Sequence, residues 1–347
     1  MVGFRKGPRR VITWRARGKF KGVNRESADP QVIACQCSSW EEIAESLEWF
    51  PAPEVSLEPE GGVSRNAWVF RGLGSSRYEL QPSIERELHA DSMGWHALEH
   101  LVSEEFKARV GLHLDGPRIP ENELSWLALM QHYGVPTRLL DFTYSPFVAL
   151  YFAVRACRTP SCSSGRNVRL WAINEDSVNY RFRFVARRAQ GKTGRVFDVS
   201  RENQTDELDD LIGGTVGMRW DIEKFIPARG NLEHELNQRG CVCAISPPAF
   251  NPRLASQQGV FLLNLAGDLT FNESLATMMK PTQEHTGGAI RWCKRFDIAV
   301  KAIPEIEHRL FQMNIHEQSL FPDMQGLAGL IRQRLRLHWN RPRTSGA

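Results

Sequence analysis

Apolar and polar residues recur along this chain with two periods, and those periods mark its elements. Trp40, Ile43, Leu47 and Phe50 follow one another at helical spacing behind Ser39, with Glu42 at the capping-box position, and Pro51 and Pro53 stop that helix. Residues 55–63 are rich in Pro, Gly and Glu and read as a loop. The apolar run 67–70 suits a buried strand that ends in Arg71-Gly72 and a Gly/Ser turn. Trp95, Leu98, Leu101, Val102 and Phe106 predict an amphipathic helix over 95–110, and a second helix follows over 121–133. Gly134 closes the second, and Val135-Pro136 forces an extended backbone after it. A strand is predicted over 137–143. Ser145-Pro146 then supplies an N-cap and a proline at the first helical position, opening an apolar helix over 147–156.

Further strands are predicted over 168–173, 241–245, 259–264 and 298–303, with helices over 304–313 and from about Asp323. Residues 174–240 are polar and read as mixed helix and loop. Strands and helices mingle without strict βαβ alternation, which predicts an α+β fold: a mixed, mainly antiparallel sheet flanked by helices.

Composition narrows the class. The 347 residues are 41% hydrophobic and 24% charged, the balance of a folded protein and not of a disordered or fibrous one. The longest apolar helix candidate, 147–154, falls well short of the roughly 18 to 20 residues that cross a bilayer, and the basic N-terminus has no apolar stretch behind it to act as a secretory signal. A cytoplasmic protein without a membrane partner is expected.

The formal charge of +4 conceals an asymmetry. Residues 1–25 carry nine basic and no acidic side chains, residues 331–347 carry five and none, and the residues between carry 30 basic against 40 acidic. An acidic body argues against a nucleic-acid-binding core, so any contact with nucleic acid or an anionic surface falls to the N-terminal arm, whose other reading is a solvated tail. The predicted organisation is a basic, flexible arm over 1–37, one domain over 38–330 with a variable insert at 174–240, and a basic tail over 331–347. Seven cysteines, an odd number spread over the chain, argue against a disulfide framework. The Cys35/Cys37 and Cys241/Cys243 pairs lack the spacing of a zinc site, so buried free thiols and no metal are expected.

Three segments place polar residues where packing alone does not ask for them. The first is Phe70-Arg71-Gly72, an arginine at the end of an apolar strand beside a glycine-rich turn, suited to a phosphate, carboxylate or ribose edge. The second runs from Gln131-His132-Tyr133-Gly134 through Thr137-Arg138-Leu139-Leu140-Asp141-Phe142-Thr143 to Ser145-Pro146. Its histidine and tyrosine either plug a helix end into the core or donate hydrogen bonds and protons to a ligand. Arg138 either pairs with Asp141 or a glutamate inside the fold or faces a ligand, and Ser145 serves as N-cap or helps that helix start hold a phosphate. The third is Arg253-Leu254 with Gln257-Gln258-Gly259-Val260-Phe261, in which one of the two glutamines should point inward and the other outward, Gln258 being the candidate site residue.

Together these segments resemble the FRG family, whose Phe-Arg-Gly strand is followed by a block of the form QHYGxPTRLLDxTxSPxxALYFA, then RxxxQQGxF and an FPDxxGL tail, here Phe321 to Leu327. The order of elements is also similar to the ADP-ribosyltransferase fold. That resemblance implies an NAD pocket in which Arg71, on the first strand, holds the nicotinamide-side ribose. Thr143 or Ser145 would lie on the second strand and Gln258 at the third, where the transferases carry a glutamate. With the residues singled out above, the candidates are Arg71, His132, Tyr133, Asp141 and Gln258 for catalysis and Arg71, Gly72, Arg138, Thr143 and Ser145 for the cofactor. The implied activity is ADP-ribosyl transfer to a protein or nucleic acid, as a toxin or antiphage effector. The alternative is a non-catalytic module binding a ligand, RNA or a protein.

Overall fold

The computed structural model describes residues 32–48, 50, 56–57, 63–64, 67–87, 94–112, 120, 122–157, 167–189, 231–245, 252–280 and 293–339. The strands are β1 (Val32–Cys37), the two-residue pair β2 (Ser56–Leu57) and β3 (Val63–Ser64), β4 (Trp68–Leu73), β5 (Leu139–Thr143), β6 (Val168–Asn174), β7 (Val242–Ile245), β8 (Gly259–Asn264) and β9 (Cys293–Ile298). Apart from β2 and β3 they form one seven-stranded sheet in the order β1-β9-β6-β4-β5-β8-β7. β1 runs parallel to β9, and every other neighbouring pair in this sheet is antiparallel. The fold is therefore α+β with a mixed sheet, as the element pattern predicts.

Alternation along the strands sorts the side chains onto two faces. On β4, Trp68 and Phe70 join a core built with α5 (Pro146–Cys157), while Val69 turns the other way into a separate cluster. The first core also takes Trp40, Ile43 and Leu47 of α1 (Trp40–Glu48), the stripe that the helical spacing identifies. On β8, Phe261 and Leu263 pack with Leu124, Leu127 and Met130 of α4 (Glu123–His132), whereas Val260 and Leu262 face the opposite cluster. Both sides of this half of the sheet are covered, which explains a β8 buried at every position.

Five expectations change. Within and beside 55–63, expected as a loop, Ser56–Leu57 and Val63–Ser64 pair as short antiparallel strands. Residues 32–37, expected in the flexible arm, form edge strand β1, with Cys37 in the core. The strand expected over 298–303 lies instead at Cys293–Ile298, and Val300–Ala302 is a 3-10 turn leading into α10 (Ile303–Gln312). The charges in β9 are accommodated by neighbours: Lys294 lies over the rings of Phe50 and Trp68 at 5.3 and 5.8 Å, and Asp297 pairs with Arg169. The polar stretch from 174 opens with α6 (Glu175–Ala189), whose Val178, Phe182 and Val185 are core residues, so its start is not an insert. The final helix, α12 (Met324–Trp339), continues into the expected tail and buries Leu330 and Gln333. Residues 1–31, 190–230 and 340–347 lie outside the described residues.

The six described cysteines are outside any disulfide, and Cys37, Cys241, Cys243 and Cys293 are buried. Among the described residues no group of three or more His, Cys, Asp or Glu is arranged to hold a metal ion, and no helix is long and apolar enough to cross a membrane.

Candidate functional site

The sheet loosens at one seam. β4 pairs with β6 at six successive positions and β5 pairs with β8 at five, but β4 and β5 pair only at Phe70 and Thr143. Beyond that pair the gap is bridged by a side chain: Arg71 Nη1 donates to the Asp141 carbonyl at 2.5 Å. Arg71 Nε is buried and has no hydrogen-bond partner. Desolvation pushes the guanidinium below the usual arginine range; the Asp141 charge opposes that shift and Arg86 adds to it. Arg86 is brought close because α2 (Ser83–Arg86) docks on Thr137, whose N–H donates to Ser83 Oγ at 3.0 Å.

Asp141 is the one exposed residue of β5. Its carboxylate is steered by Gln131 from the last turn of α4, which donates to Oδ2 at 3.0 Å while accepting from Thr137 Oγ1 at 2.6 Å. Beside Gln131, His132 and Tyr133 are exposed with their rings edge to face at 5.0 Å, and Tyr133 is 62% exposed, so neither ring plugs the core. Partial burial, with the charge of Arg253, holds the His132 imidazole below the ordinary histidine value. Arg253 belongs to α8 (Pro252–Ser256), which leads into Gln257-Gln258.

At the start of β8, Gln257 Nε2 donates inward to the Leu320 carbonyl at 3.0 Å, while Gln258 is exposed and takes a left-handed backbone with φ +49°. That conformation is uncommon for a residue with a Cβ. It is held by Gln258 N–H on the Ala255 carbonyl at 3.1 Å and by Tyr144 N–H on the Gln258 carbonyl at 3.0 Å. Gln258 thus adjoins the end of β5, and Arg71 adjoins its middle.

The expected cofactor residues divide. Arg71 keeps a buried Nε without a partner, whereas Gly72 and Arg138 are committed to the framework. A Cβ on Gly72 would lie 1.9 Å from the Ala149 carbonyl oxygen and 2.6 Å from Ala153 N, so this glycine admits the backbone of α5 and leaves no room for a ligand. Arg138 is 5% exposed; Glu99 of α3 (Trp95–Val110) takes its guanidinium in a buried ion pair and its N–H at 2.7 Å, and Trp95 lies under it at 4.7 Å. Of the two alternatives for Arg138, the internal pair is the one formed. Thr143 Oγ1 donates to the Gln257 carbonyl at 2.6 Å and accepts from Ser145 N–H at 3.0 Å, and Ser145 Oγ accepts from Val148 N–H at 3.3 Å. Both hydroxyls hold the strand-to-helix turn.

Sequence reasoning missed Gln131 as the tether of Asp141. It also missed Glu175, a buried carboxylate that accepts from Tyr144 Oη at 3.3 Å, and the pair Trp171 and Arg295 on the sheet face of Arg71. For Trp171 a signal existed, because Val168, Leu170 and Ala172 alternate with Arg169 and Trp171.

The family model described as FRG domain matches residues 66–161, from β4 through α5. This chain carries an FRG domain, with the Phe70-Arg71-Gly72 strand and the Gln131 to Ser145 block both inside the match. β6 to β9, the Gln257-Gln258 turn and Phe321 to Leu327 lie beyond it. No curated protein and no solved structure matches the chain.

Proposed function

We propose that this protein is an ADP-ribosyltransferase-type domain of the cytoplasm that takes NAD as its substrate and modifies a protein or nucleic-acid acceptor, as a toxin or antiphage effector. The observation that carries the reading is the adjacency β4-β5-β8. The arginine strand, the Ser/Thr strand and the glutamine strand are dispersed along the chain, yet they are consecutive neighbours in the sheet. The fit to a nucleotide rests on Arg71, whose buried Nε lacks an acceptor. An unmet buried donor costs about 1–3 kcal/mol, which a ribose or phosphate oxygen would recover.

In such a transfer the bond between ribose C1′ and nicotinamide breaks and nicotinamide leaves with the bonding pair. The acceptor's nucleophile then closes on C1′ and gives up its proton. Positive charge develops on the ribose and asks for a carboxylate. Asp141, whose carbonyl takes Arg71 and whose carboxylate Gln131 steers on the other face of β5, is assigned that role; Gln258 holds a hydroxyl as a neutral amide, and His132 with Tyr133 takes the acceptor's proton at the rim. Gly72, Arg138, Thr143 and Ser145 drop out as ligand contacts and remain as framework.

A second reading is favoured by Gln258 itself, because an amide stands where the transferases have a glutamate: a non-catalytic module that grips a ligand, RNA or a protein. Incubation with labelled NAD and a cell extract separates the two. Label on an acceptor together with free nicotinamide, both lost in Arg71→Ala with the circular dichroism unchanged, is the expected outcome. No NAD binding, hydrolysis or transfer refutes it, and retention of RNA with an affinity that falls steeply in salt establishes the module.

A further inference from the structure

Arg71 does not stand alone on its face of the sheet. The antiparallel register sets it directly beside Trp171 on β6, and Trp171 directly beside Arg295 on β9. Residues paired in this way project from the same face, with neighbouring Cα atoms about 4.5–5.5 Å apart, so the three side chains form one row roughly 10 Å long. Each carries a buried N–H without a hydrogen-bond partner: Arg71 Nε, Trp171 Nε1 and Arg295 Nε. Three such donors in one line are unusual, since buried polar groups are nearly always satisfied.

A carboxylate near the row is also engaged elsewhere. Asp297, two residues from Arg295 on β9, is held by Arg169 in a bidentate grip at 2.6 and 3.1 Å. Arg295 reaches it only at 3.7 Å, too long for a hydrogen bond. Arg169 thus takes the Asp297 oxygens, and the two guanidinium groups at the ends of the row keep donors to spare. Arg295 retains 23% exposure, Arg71 and Trp171 are also partly exposed, and beyond Arg295 the register continues to Ala34, which adds only a methyl group.

We infer that Arg71, Trp171 and Arg295 form a diphosphate-binding strip, in which the two guanidinium groups each hold one phosphate and the indole N–H donates to oxygen between them. Guanidinium forks match phosphate oxygens in geometry as well as charge. The strip deepens the NAD reading, on which it rests for the identity of its ligand, by naming the residues that hold the part of the substrate away from the scissile bond. It takes Trp171 and Arg295 from outside the matched FRG segment.

The test uses the full chain, titration calorimetry and three probes: inorganic pyrophosphate, ADP-ribose and NAD. Trp171→Phe keeps a ring and removes the donor; Arg295→Gln removes the charge; Arg109→Gln, a surface arginine paired with Glu105, serves as a control for net charge. Pyrophosphate affinity is expected to fall about five- to twentyfold in Trp171→Phe and in Arg295→Gln, and to stay within twofold in Arg109→Gln. Unchanged melting temperatures would show that the variants fold, and either one alone suffices for the test. Absence of pyrophosphate binding by the unaltered protein at millimolar concentration, or equal affinity in both folded variants, overturns the strip. NAD binding that ignores both substitutions overturns it while leaving the transferase reading intact. Pyrophosphate binding that depends on both, without NAD binding, removes the transferase reading and keeps the strip.

Discussion

The junction of α3 with β5 and the Arg71 face of β4, β6 and β9 both take up arginine, and they treat its charge differently. At the junction, Arg138 meets a glutamate, an indole face and a backbone geometry that uses the same carboxylate twice. On that face of the sheet, Arg71 has one carbonyl acceptor and a buried donor to spare, and Arg295 has a carboxylate already engaged by another arginine. A cation satisfied from within is a framework element, and one left with unmet donors is prepared for an outside acceptor. Both arginines stand in family-like motifs, so motif membership alone does not tell the two apart.

The largest expected effect breaks the first region. Glu99→Ala leaves the Arg138 charge buried without its partner and should lower stability by about 3–5 kcal/mol, read from denaturant unfolding. Arg71→Gln, by contrast, removes a charge that has no carboxylate bonded to it and one hydrogen bond to the Asp141 carbonyl, and should cost about 1 kcal/mol. Equal losses in the two variants would erase the distinction between the regions.

Next comes the residue that joins packing to binding. Gly72→Ala drives a methyl group into the Ala149 carbonyl and the backbone of α5, and should cost about 3 kcal/mol or more because the obstacle is main chain and cannot rotate away. A neutral or stabilising result would mean that α5 stands farther from β4 than described, and would return Gly72 to the ligand side.

How much of this was legible beforehand depends on the range of the interactions involved. α1 could be read because its cap is local: Glu42 N–H reaches Ser39 Oγ at 3.4 Å and Glu42 Oε2 accepts from Ser38 N–H at 2.6 Å. The start of α5 and the course of β8 could be read for the same reason. β9 was misplaced because its charged residues are neutralised by Phe50, Trp68 and Arg169, distant in sequence, whereas the apolar run after Ile298 has the composition of a strand and the geometry of a turn. At the site, Arg71 and Gln258 stood out as polar residues in motifs, but the Arg138 to Glu99 pair spans 39 residues and the Arg71, Trp171, Arg295 row exists only once three strands are in register. Pairings between strands carry no local signature.

A third prediction carries the comparison over to acids. Glu99 has a cation; Glu85 is 6% exposed, accepts from Phe271 N–H at 2.7 Å, and among the described residues pairs with no cation. Burial chiefly raises its carboxyl from 4.5 to about 7, partly opposed by the Phe271 N–H and aided by Glu273. Between those values the unfolded chain has released the proton and the folded chain still holds it, so the unfolded state binds fewer protons and stability falls as pH rises. The contribution is fully present below about pH 4.5 and lost as pH passes about 7. Unfolding free energy should drop by about 3 kcal/mol across that window, and Glu85→Gln, which keeps an acceptor for Phe271 N–H, should flatten the curve. A Glu85→Gln profile as steep as the original would assign the pH dependence to another group.

The smallest effect tests whether the strand-to-helix turn belongs to the framework or to the ligand. Ser145 Oγ accepts from Val148 N–H, and the Ser145 N–H is spent on Thr143, so removing the hydroxyl should cost the ordinary N-cap contribution of about 1 kcal/mol. Because that hydroxyl is turned to its own helix, NAD affinity in Ser145→Ala should stay within twofold, while Arg71→Gln loses tenfold or more at a smaller cost in stability than Glu99→Ala. The two measurements together give each residue a position on separate axes of folding and binding. A Ser145→Ala variant as stable as the parent but weakened in NAD binding would reverse the assignment, placing the start of α5 in the ligand site and Arg71 no more than beside it.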